Sequence, residues 1–198
     1  SDKDVLGVIV NGTFRNGSTD TYGDNFTEHT LNGSPVARLL SDIDNNDRFD
    51  GVSANLNYTR TFDQSKMQEL TLNADYSWYD ISNRSRQEDI PDPDFTPLMI
   101  LDSTIFRQNA AQNLQIWSAK ADYQQLFWQT GLLEAGLKWS RTITDNNSVR
   151  EDFFHNTWNY NDSLSNLFLY DEQIAAAYIS AAKSFGQKWS VKIGLRGE

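Results

Sequence analysis

The chain has 198 residues and a formal net charge of −10, with 27 acidic and 17 basic side chains. Nucleic-acid binding requires a basic surface, and a chain this acidic is not expected to have one, so DNA and RNA are not expected partners. The absence of cysteine excludes disulfides, thiolate metal sites and cysteine nucleophiles. No apolar run approaches the ~18 residues of a transmembrane helix, although aromatic residues are abundant at 13%.

Alternation of apolar and polar residues, the period of a strand with two different faces, predicts about seven strands. In chain order they cover residues 4–14, 52–62, 70–78, 117–127, 133–140, 172–185 and 189–195. The second and third are expected to form one hairpin, and the fourth and fifth another. The first is apolar on both faces, and the sixth is assigned from its position because its alternation is weak.

The connections between these strands are of two kinds. Residues 63–69, 129–131 and 186–187 are short turns, whereas 15–50, 80–112 and 143–171 form connections of about thirty residues. Loops of that length are uncommon unless they are functional. Short turns at one end of an antiparallel meander and long loops at the other are typical of an outer-membrane β-barrel, so we predict an all-β fold that forms part of such a barrel.

Charge follows the same division. The three long connections hold 18 acidic and 7 basic residues, a net charge of −11, and the rest of the chain carries +1. The apolar faces of the clearly alternating strands are uncharged except at Arg60, which lies beside a turn. A lipid-facing surface requires this, because Lys or Arg at the bilayer midplane costs about 2–4 kcal/mol.

Aromatic residues lie at both ends of the predicted strands. Trp117 and Phe127 share a face ten residues apart, which at ~3.3 Å per residue and a tilt near 40° is roughly 25 Å along the membrane normal, the height of an apolar band. Aromatic capping of a soluble core is the alternative explanation. The predicted interfacial girdle consists of Phe62, Trp78, Trp117, Phe127, Trp139, Phe185 and Trp189.

Four segments in series resemble a known family. Residues 75–80 (DYSWYD), 134–140 (EAGLKWS), 170–178 (YDEQIAAAY) and 194–198 (GLRGE) are similar to the barrel region of Bacteroidota outer-membrane proteins of the TonB-dependent receptor superfamily. The resemblance covers the chain from about residue 51 onward. It implies a Gram-negative outer-membrane transporter of about 22 strands with a plug domain, contacts with outer-membrane lipid and the TonB system, and a surface lipoprotein as a candidate partner.

The chain starts without methionine and stops inside a strand pattern. We therefore expect residues 1–198 to be a single fragment of a barrel domain, without the plug and the remaining strands. Such a fragment would leave two unpaired sheet edges and an uncovered apolar face, so we expect it to self-associate through its edges or to curl into a smaller closure.

Candidate chemical motifs are weak. The acidic stretch 42–51 lacks the Gly and Glu positions of an EF-hand, so a solvated acidic loop is favoured over a metal site. Residues 88–97 hold three prolines and four acids and are expected to be extended and unable to join a sheet. His29 and His155 are read as loop residues without ligand-like spacing. No catalytic residue, cofactor site or metal site is predicted, and the chain is not expected to be an enzyme.

The leading hypothesis is a barrel-wall and extracellular-loop segment of a receptor for energised nutrient uptake. The candidate ligand-contacting residues are Phe95, Phe153, Trp158 and Tyr160, because aromatic side chains in long loops are common binding groups. A polar inward face would line a wet lumen. The alternative is a soluble all-β carbohydrate- or ligand-binding module, which would bury its apolar face against a second sheet. The polar inward set is Asn55, Asn57, Thr59, Asn73, Asp75, Lys120, Asp122, Lys138 and Lys192.

Overall fold

The structure, a computed structural model, describes residues 3–31, 34–92, 103–127, 130–186 and 188–198. The elements in these ranges are all strands, and within them no helix is long and apolar enough to cross a membrane. The strands are β1 Lys3–Leu31, β2 Ser34–Asp63, β3 Gln68–Pro91, β4 Thr104–Phe127, β5 Gly131–Phe154, β6 Thr157–Tyr160, β7 Asn166–Phe185 and β8 Trp189–Gly197.

The strands form one antiparallel meander. Its order is β1-β2-β3-β4-β5-β7-β8, and the short β6 pairs with β5 near the tip of the β5–β7 connection. The prediction of an all-β antiparallel meander is therefore confirmed, with β6 as an eighth strand that the alternation pattern did not reveal. In the described ranges β1 does not pair with β8, so the sheet is open and does not curl into the smaller closure considered above.

The strands run much further than the alternation pattern indicates. β2 has 30 residues, and β3, β4 and β5 have 24 each. Most of residues 15–50, 80–112 and 143–171, predicted as long loops, continue the hairpins as paired strands. The reason is that the two faces of these segments do not differ: most of them are polar on both faces, and residues 167–170 (LFLY) are apolar on both. The period of two therefore disappears from the sequence although the backbone ladder continues.

The proline-containing segment illustrates this difference. Glu88 and Asp89 pair with β2 on one side and with Ile105 and Thr104 of β4 on the other, so this part of residues 88–97 does join the sheet. Pro91 is the last residue of β3, where a missing N–H costs little. Residues 93–97, with Phe95, lie outside the described residues.

Two tight turns use residues with positive φ. In the β2–β3 turn, Asp63 Oδ1 accepts hydrogen bonds from the backbone N–H and the hydroxyl of Ser65, and Met67 has a φ of 47°. In the β5–β6 hairpin, His155 and Asn156 have φ of 49° and 64°. Two consecutive positive φ values define a type I′ turn, whose twist matches that of antiparallel strands.

The sheet has no second layer over it. Among the described residues no large side chain is fully buried, and Leu137, for example, is 63% exposed in the middle of β5. A soluble sandwich would bury such residues between two sheets. The described part of the chain is a single wall.

Candidate functional site

The register of the strands aligns the predicted apolar faces into one continuous surface. Paired residues of antiparallel strands point to the same face of a sheet. Leu56 of β2 pairs with Ala74 of β3, Ala74 pairs with Ala119 of β4, and Ala119 pairs with Trp139 of β5, so all four lie on one face. We call this the outer face. The side chains that β3 places on the outer face from Leu70 to Trp78 are uncharged, and so are those that β4 places there from Trp117 to Phe127.

All seven predicted girdle residues lie on the outer face. In the register, Trp78, Trp117 and Trp139 lie at the end of the apolar surface farthest from the short turns, and Phe62, Phe127, Phe185 and Trp189 lie at the end beside them. Tyr76 of β3 packs against Trp117, with ring centroids 4.1 Å apart. The structure adds Phe14 of β1, which pairs with Asp50 on the outer face. Sequence reasoning missed it because β1 is apolar on both faces.

The upper aromatic row descends across the sheet from β1 to β5. Taking the short turns as the bottom of the sheet and Trp78 of β3 as the reference level, Phe14 lies two residues higher, Trp117 two residues lower and Trp139 four residues lower. From β1 to β5, which is four strand steps, the row therefore falls by six residues. With ~3.3 Å per residue and ~4.8 Å between strands, this slope corresponds to a strand tilt of about 45° if the row is horizontal.

The lower row slopes in the same direction. Phe127 lies two residues below Phe62 in the register, and Phe185 lies two below Phe127, which is four residues over four strand steps. From Phe62 to Phe185 this corresponds to a tilt of about 35°, and Trp189 of β8 lies level with Phe185. Strands of transmembrane barrels tilt by about 35–45° from the barrel axis. If the strands of this sheet have that tilt, both aromatic rows lie parallel to the membrane plane.

Two basic residues on the outer face lie next to the lower row. Arg60 lies 5.2 Å from the ring of Phe62 and 3.9 Å from Asp4, and Lys183 Nζ lies 5.3 Å from the ring of Phe185. At the edge of an apolar band a long basic side chain can place its charge in the polar interface. Their positions therefore fit a membrane boundary at this row.

The opposite face, here the inner face, carries the predicted polar set. Neighbouring side chains form a ladder of hydrogen bonds between β2 and β3: Asn55 donates to Asp75 at 2.6 Å, Asn57 donates to Asn73, and the Thr59 and Thr71 hydroxyls are 3.4 Å apart. Placing so many polar side chains against lipid would cost free energy, whereas in contact with water they remain solvated. It is suited to line an aqueous lumen.

Charged groups continue this ladder across β4 and β5. Lys120 forms an ion pair of 2.6 Å with Asp122, and Tyr178 of β7 donates a hydrogen bond to Asp122. Lys138 pairs with Lys120 in the register and makes no ion pair in the described part of the chain. Nearer the short turns, Glu134 accepts hydrogen bonds from Ser180 and Lys192.

Beyond the upper row the outer face becomes charged and the wall continues as long hairpins. β4 runs 13 residues past Trp117, which is roughly 33 Å along the membrane normal at a tilt near 40°. A barrel strand needs only about 9–11 residues to cross the bilayer. The acidic residues that give the chain its net charge are concentrated in these hairpins.

Three of the four predicted ligand-contacting residues lie near the tip of the β5–β6 hairpin. Phe153 packs on Trp158 with ring centroids 5.1 Å apart, and the Arg107 guanidinium lies 4.5 Å from the Trp158 ring. Tyr160 pairs with Glu151 in the register and is 60% exposed. The structure therefore brings Phe153 and Trp158 together and leaves Tyr160 open to solvent.

Polar contacts fix this hairpin. The hydrogen bond from Arg107 lowers the pKa of the Glu151 carboxyl below its ordinary value. Hydrogen bonds from Asn161 and Arg150 lower the pKa of Asp152 in the same way, although partial burial of that carboxyl opposes the shift. Both carboxylates are held in their ionised form by neighbours on the same hairpin or on β4.

The acidic stretch 42–51 is not a loop. It belongs to β2, so successive side chains alternate between faces, with Asp42 and Asp44 on the outer face and Asp47 on the inner face, where it accepts a hydrogen bond from Asn83. This alternation disperses the oxygen ligands that a cation would need. In the ranges that the structure describes, no three His, Asp or Glu side chains are grouped to hold a metal ion.

An uncharged face bounded by two aromatic rows at the tilt of a barrel, backed by a polar face, defines the wall of a transmembrane β-barrel. Comparison with protein families agrees: the model of the outer membrane protein beta-barrel family matches residues 60–198. The chain belongs to this family, and its location is the outer membrane. The uncovered apolar face and this membership rule against the soluble module. A search of curated proteins found no match to the chain.

Proposed function

We propose that this chain is the barrel-wall and extracellular-hairpin segment of a TonB-dependent outer-membrane receptor for energised nutrient uptake, of the Bacteroidota type. The observation that carries the proposal is the combination of a charged, hydrogen-bonded inner face with hairpins that rise about 33 Å above the aromatic row. The four segments that resemble this superfamily supply the finer assignment. In this role the segment performs no chemistry of its own.

Ligand capture is assigned to the hairpins. Tyr160 and the Phe153–Trp158 pair offer aromatic contact area at the tip of the β5–β6 hairpin. Phe95, outside the described residues, belongs to the neighbouring β3–β4 connection. The acidic hairpins favour cationic or neutral ligands over free anions. We also propose that a surface lipoprotein contacts the same hairpins.

The orientation can be tested in intact cells that make the complete protein. The chain has no cysteine, so each introduced cysteine gives a single label. Ser163 lies in an exposed turn of the β5–β7 connection, and Gln64 lies in the exposed β2–β3 turn. The two test variants are Ser163→Cys and Gln64→Cys. We expect a membrane-impermeant maleimide to label Ser163→Cys on whole cells and Gln64→Cys only after lysis. Equal labelling of both variants before lysis would contradict the orientation.

A second experiment separates a plugged receptor from an open porin. The purified complete protein is inserted into a planar bilayer and its conductance is recorded. A plugged receptor should show no steady open channel, and it should cross-link internally from a photoreactive group placed at Lys138 on the inner face. A stable, large conductance without an internal cross-link would contradict the receptor assignment while leaving the barrel intact.

The sheet edges lead to a related proposal for the isolated chain. β1 and β8 each present a backbone edge without a strand partner in the described residues, and Val8, Ile9 and Val10 of β1 are largely exposed. Exposed apolar edges recruit further strands. We expect the isolated 198-residue chain in detergent to sediment as dimers or larger species, and a monomer would contradict this.

A further inference from the structure

The inner face carries an apolar patch just above its polar ladder. Phe49 of β2 pairs with Ile81 of β3, Tyr79 of β3 pairs with Leu114 of β4, and Ile116 lies two residues nearer the short turns on β4. All five side chains are half-buried and lie on the inner face. We call these five residues the lumen patch. Water alone does not account for them, because apolar surface exposed in a water-filled lumen costs free energy.

Packing between β2 and β3 fixes the shape of the lumen patch. The Phe49 and Tyr79 rings have centroids 5.9 Å apart, within the range that aromatic pairs prefer. Gly51, the buried register partner of Tyr79, has no side chain, and a Cβ there would lie 2.9 Å from Tyr79 Cδ1. The Tyr79 ring therefore rests on the backbone of β2 beside Phe49. A surface held in this way binds a ligand with little loss of conformational entropy.

The lumen patch lies at the extracellular mouth of the proposed barrel. Tyr79 directly follows Trp78, and Ile116 directly precedes Trp117, so the patch is on the reverse side of the upper aromatic row. Toward the short turns, the hydrogen-bonded ladder of the inner face begins at Asp75. A molecule that enters between the hairpins therefore meets the lumen patch before it meets the polar lumen.

Charged side chains surround the lumen patch but do not enter it. On the described strands β2 to β5, the three cross-strand rows of the patch contain only uncharged residues on the inner face. A charged ligand would lose hydration against this surface without gaining a partner in it. The lumen patch therefore favours an uncharged ligand. The surrounding charges are Asp47 above, Asp75 below, Arg15 on β1 and Glu172 on β7.

The size of the lumen patch points to a small molecule. Three strands at ~4.8 Å spacing and a strand length of four residues give roughly 10 Å by 13 Å. A stable protein–protein interface needs about 800 Å² on each partner, so this area fits one ring or a short hydrocarbon group instead. Gln112 and Thr144, the register partners of Ile81 and Leu114, border the patch with hydrogen-bonding groups. They are placed to contact the polar part of the same ligand.

We propose that the lumen patch binds the apolar part of a small uncharged ligand, an aromatic ring or short hydrocarbon group attached to a hydrogen-bonding, polar part. This inference rests on the proposed function, because it assigns a substrate class to uptake through the same lumen. It concerns binding alone, so the conductance experiment above can fail while the binding experiment succeeds, and the reverse.

The test uses the complete protein in detergent and measures binding of phenyl β-glucoside by saturation-transfer NMR. This probe is uncharged and water-soluble, and it carries one aromatic ring on a hydroxyl-rich sugar. Methyl β-glucoside lacks the ring, and phenyl phosphate carries the same ring with a negative charge. We expect each of these two compounds to bind about fivefold more weakly than phenyl β-glucoside, or weaker still.

Two variants change the lumen patch itself. Leu114→Gln and Ile116→Gln replace apolar side chains by a polar one on a face that tolerates polar residues. Ile43→Gln is the matched control, because Ile43 is half-buried on the inner face of β2 but lies six residues above Phe49. The change in electrophoretic mobility on heating shows that each variant is folded. We expect the two patch variants to weaken phenyl β-glucoside binding about fivefold and Ile43→Gln to leave it within about twofold.

The proposal is overturned if phenyl β-glucoside does not bind, if either patch variant binds it unchanged, or if Ile43→Gln weakens binding equally. Equal binding of methyl β-glucoside or of phenyl phosphate would also overturn it. A photoreactive group at Leu114 tests whether another part of the protein covers the lumen patch. We expect no internal cross-link from this position, and an internal cross-link would overturn the proposal by showing that the patch is a packing surface.

Discussion

Tyr178 of β7 donates a hydrogen bond to Asp122 of β4 by reaching across the intervening strand β5. The residue of β5 that lies between them is Gly136, which pairs with both in the register. A Cβ added at Gly136 would collide with the Tyr178 ring and the Asp122 carboxylate. The glycine inside this strand therefore provides the space through which two strands that are not neighbours are linked on the inner face.

We expect Gly136→Ala to destabilise the complete protein in lipid by about 1–3 kcal/mol, because the ring of Tyr178 must move. The free energy of unfolding in urea measures this. Gly7→Ala is the matched control, since a Cβ there would make only ordinary contacts at 3.9 Å. In a Tyr178→Ala background Gly136→Ala should cost almost nothing, and an undiminished cost would contradict the explanation.

Removing only the hydroxyl tests the hydrogen bond itself. Tyr178→Phe should lower the free energy of unfolding by about 1.5–3 kcal/mol, because the acceptor is a carboxylate. Tyr76→Phe provides the comparison, since the Tyr76 ring packs on Trp117 from the outer face. A smaller loss for Tyr178→Phe than for Tyr76→Phe would argue that the Tyr178 hydroxyl contributes nothing.

The two faces of β4 should respond differently to an added charge. Ala121 lies on the outer face near the middle of the apolar surface, and Ser118 lies on the inner face of the same strand. We expect Ala121→Arg to cost about 2–4 kcal/mol and Ser118→Arg less than about 1 kcal/mol. Unfolding in lipid vesicles measures both. Equal costs would mean that the outer face does not contact lipid.

The type I′ turn of the β5–β6 hairpin should be sensitive to side-chain branching. His155→Val places a β-branched residue at a φ of 49°, which should loosen the hairpin by about 1–2 kcal/mol, whereas Asn156→Gly should be neutral or stabilising. Hydrogen exchange of the Thr157–Tyr160 amides reports on both. Ser163→Val, in the following turn, is the control, and a similar loss there would point to a general effect.

Acid should loosen the same hairpin. The pKa values of Glu151 and Asp152 are lowered in the folded chain, chiefly by hydrogen bonds from Arg107 and Asn161. A lowered folded pKa gives stability that is present above the ordinary carboxyl range and is lost as pH falls through the folded value. The protection factors of the β6 amides, which compare their exchange with that of an unstructured chain at the same pH, should therefore fall below about pH 4. Glu151→Gln should flatten part of this dependence, and an unchanged profile would contradict the assignment.

The sequence alone determined the class of fold and the outer face. Residues such as Leu70, Leu72, Trp117 and Ala119 alternate with polar neighbours because lipid on one side and water on the other impose a period of two. This pattern is local, so it can be recognised without knowing which strand pairs with which. The seven aromatic residues were found in the same way.

The tertiary structure decided what depends on pairing between distant residues. Residues 15–31 and 34–50 lack alternation because water bathes both faces. Only the cross-strand register shows that they form strands and that Asp42 and Asp47 point to opposite faces of the sheet. Tyr178 and Asp122 are 56 residues apart in the chain, and Arg86 meets Arg107 only through the register of β3 and β4. Such contacts are set by strand pairing, which local periodicity does not encode.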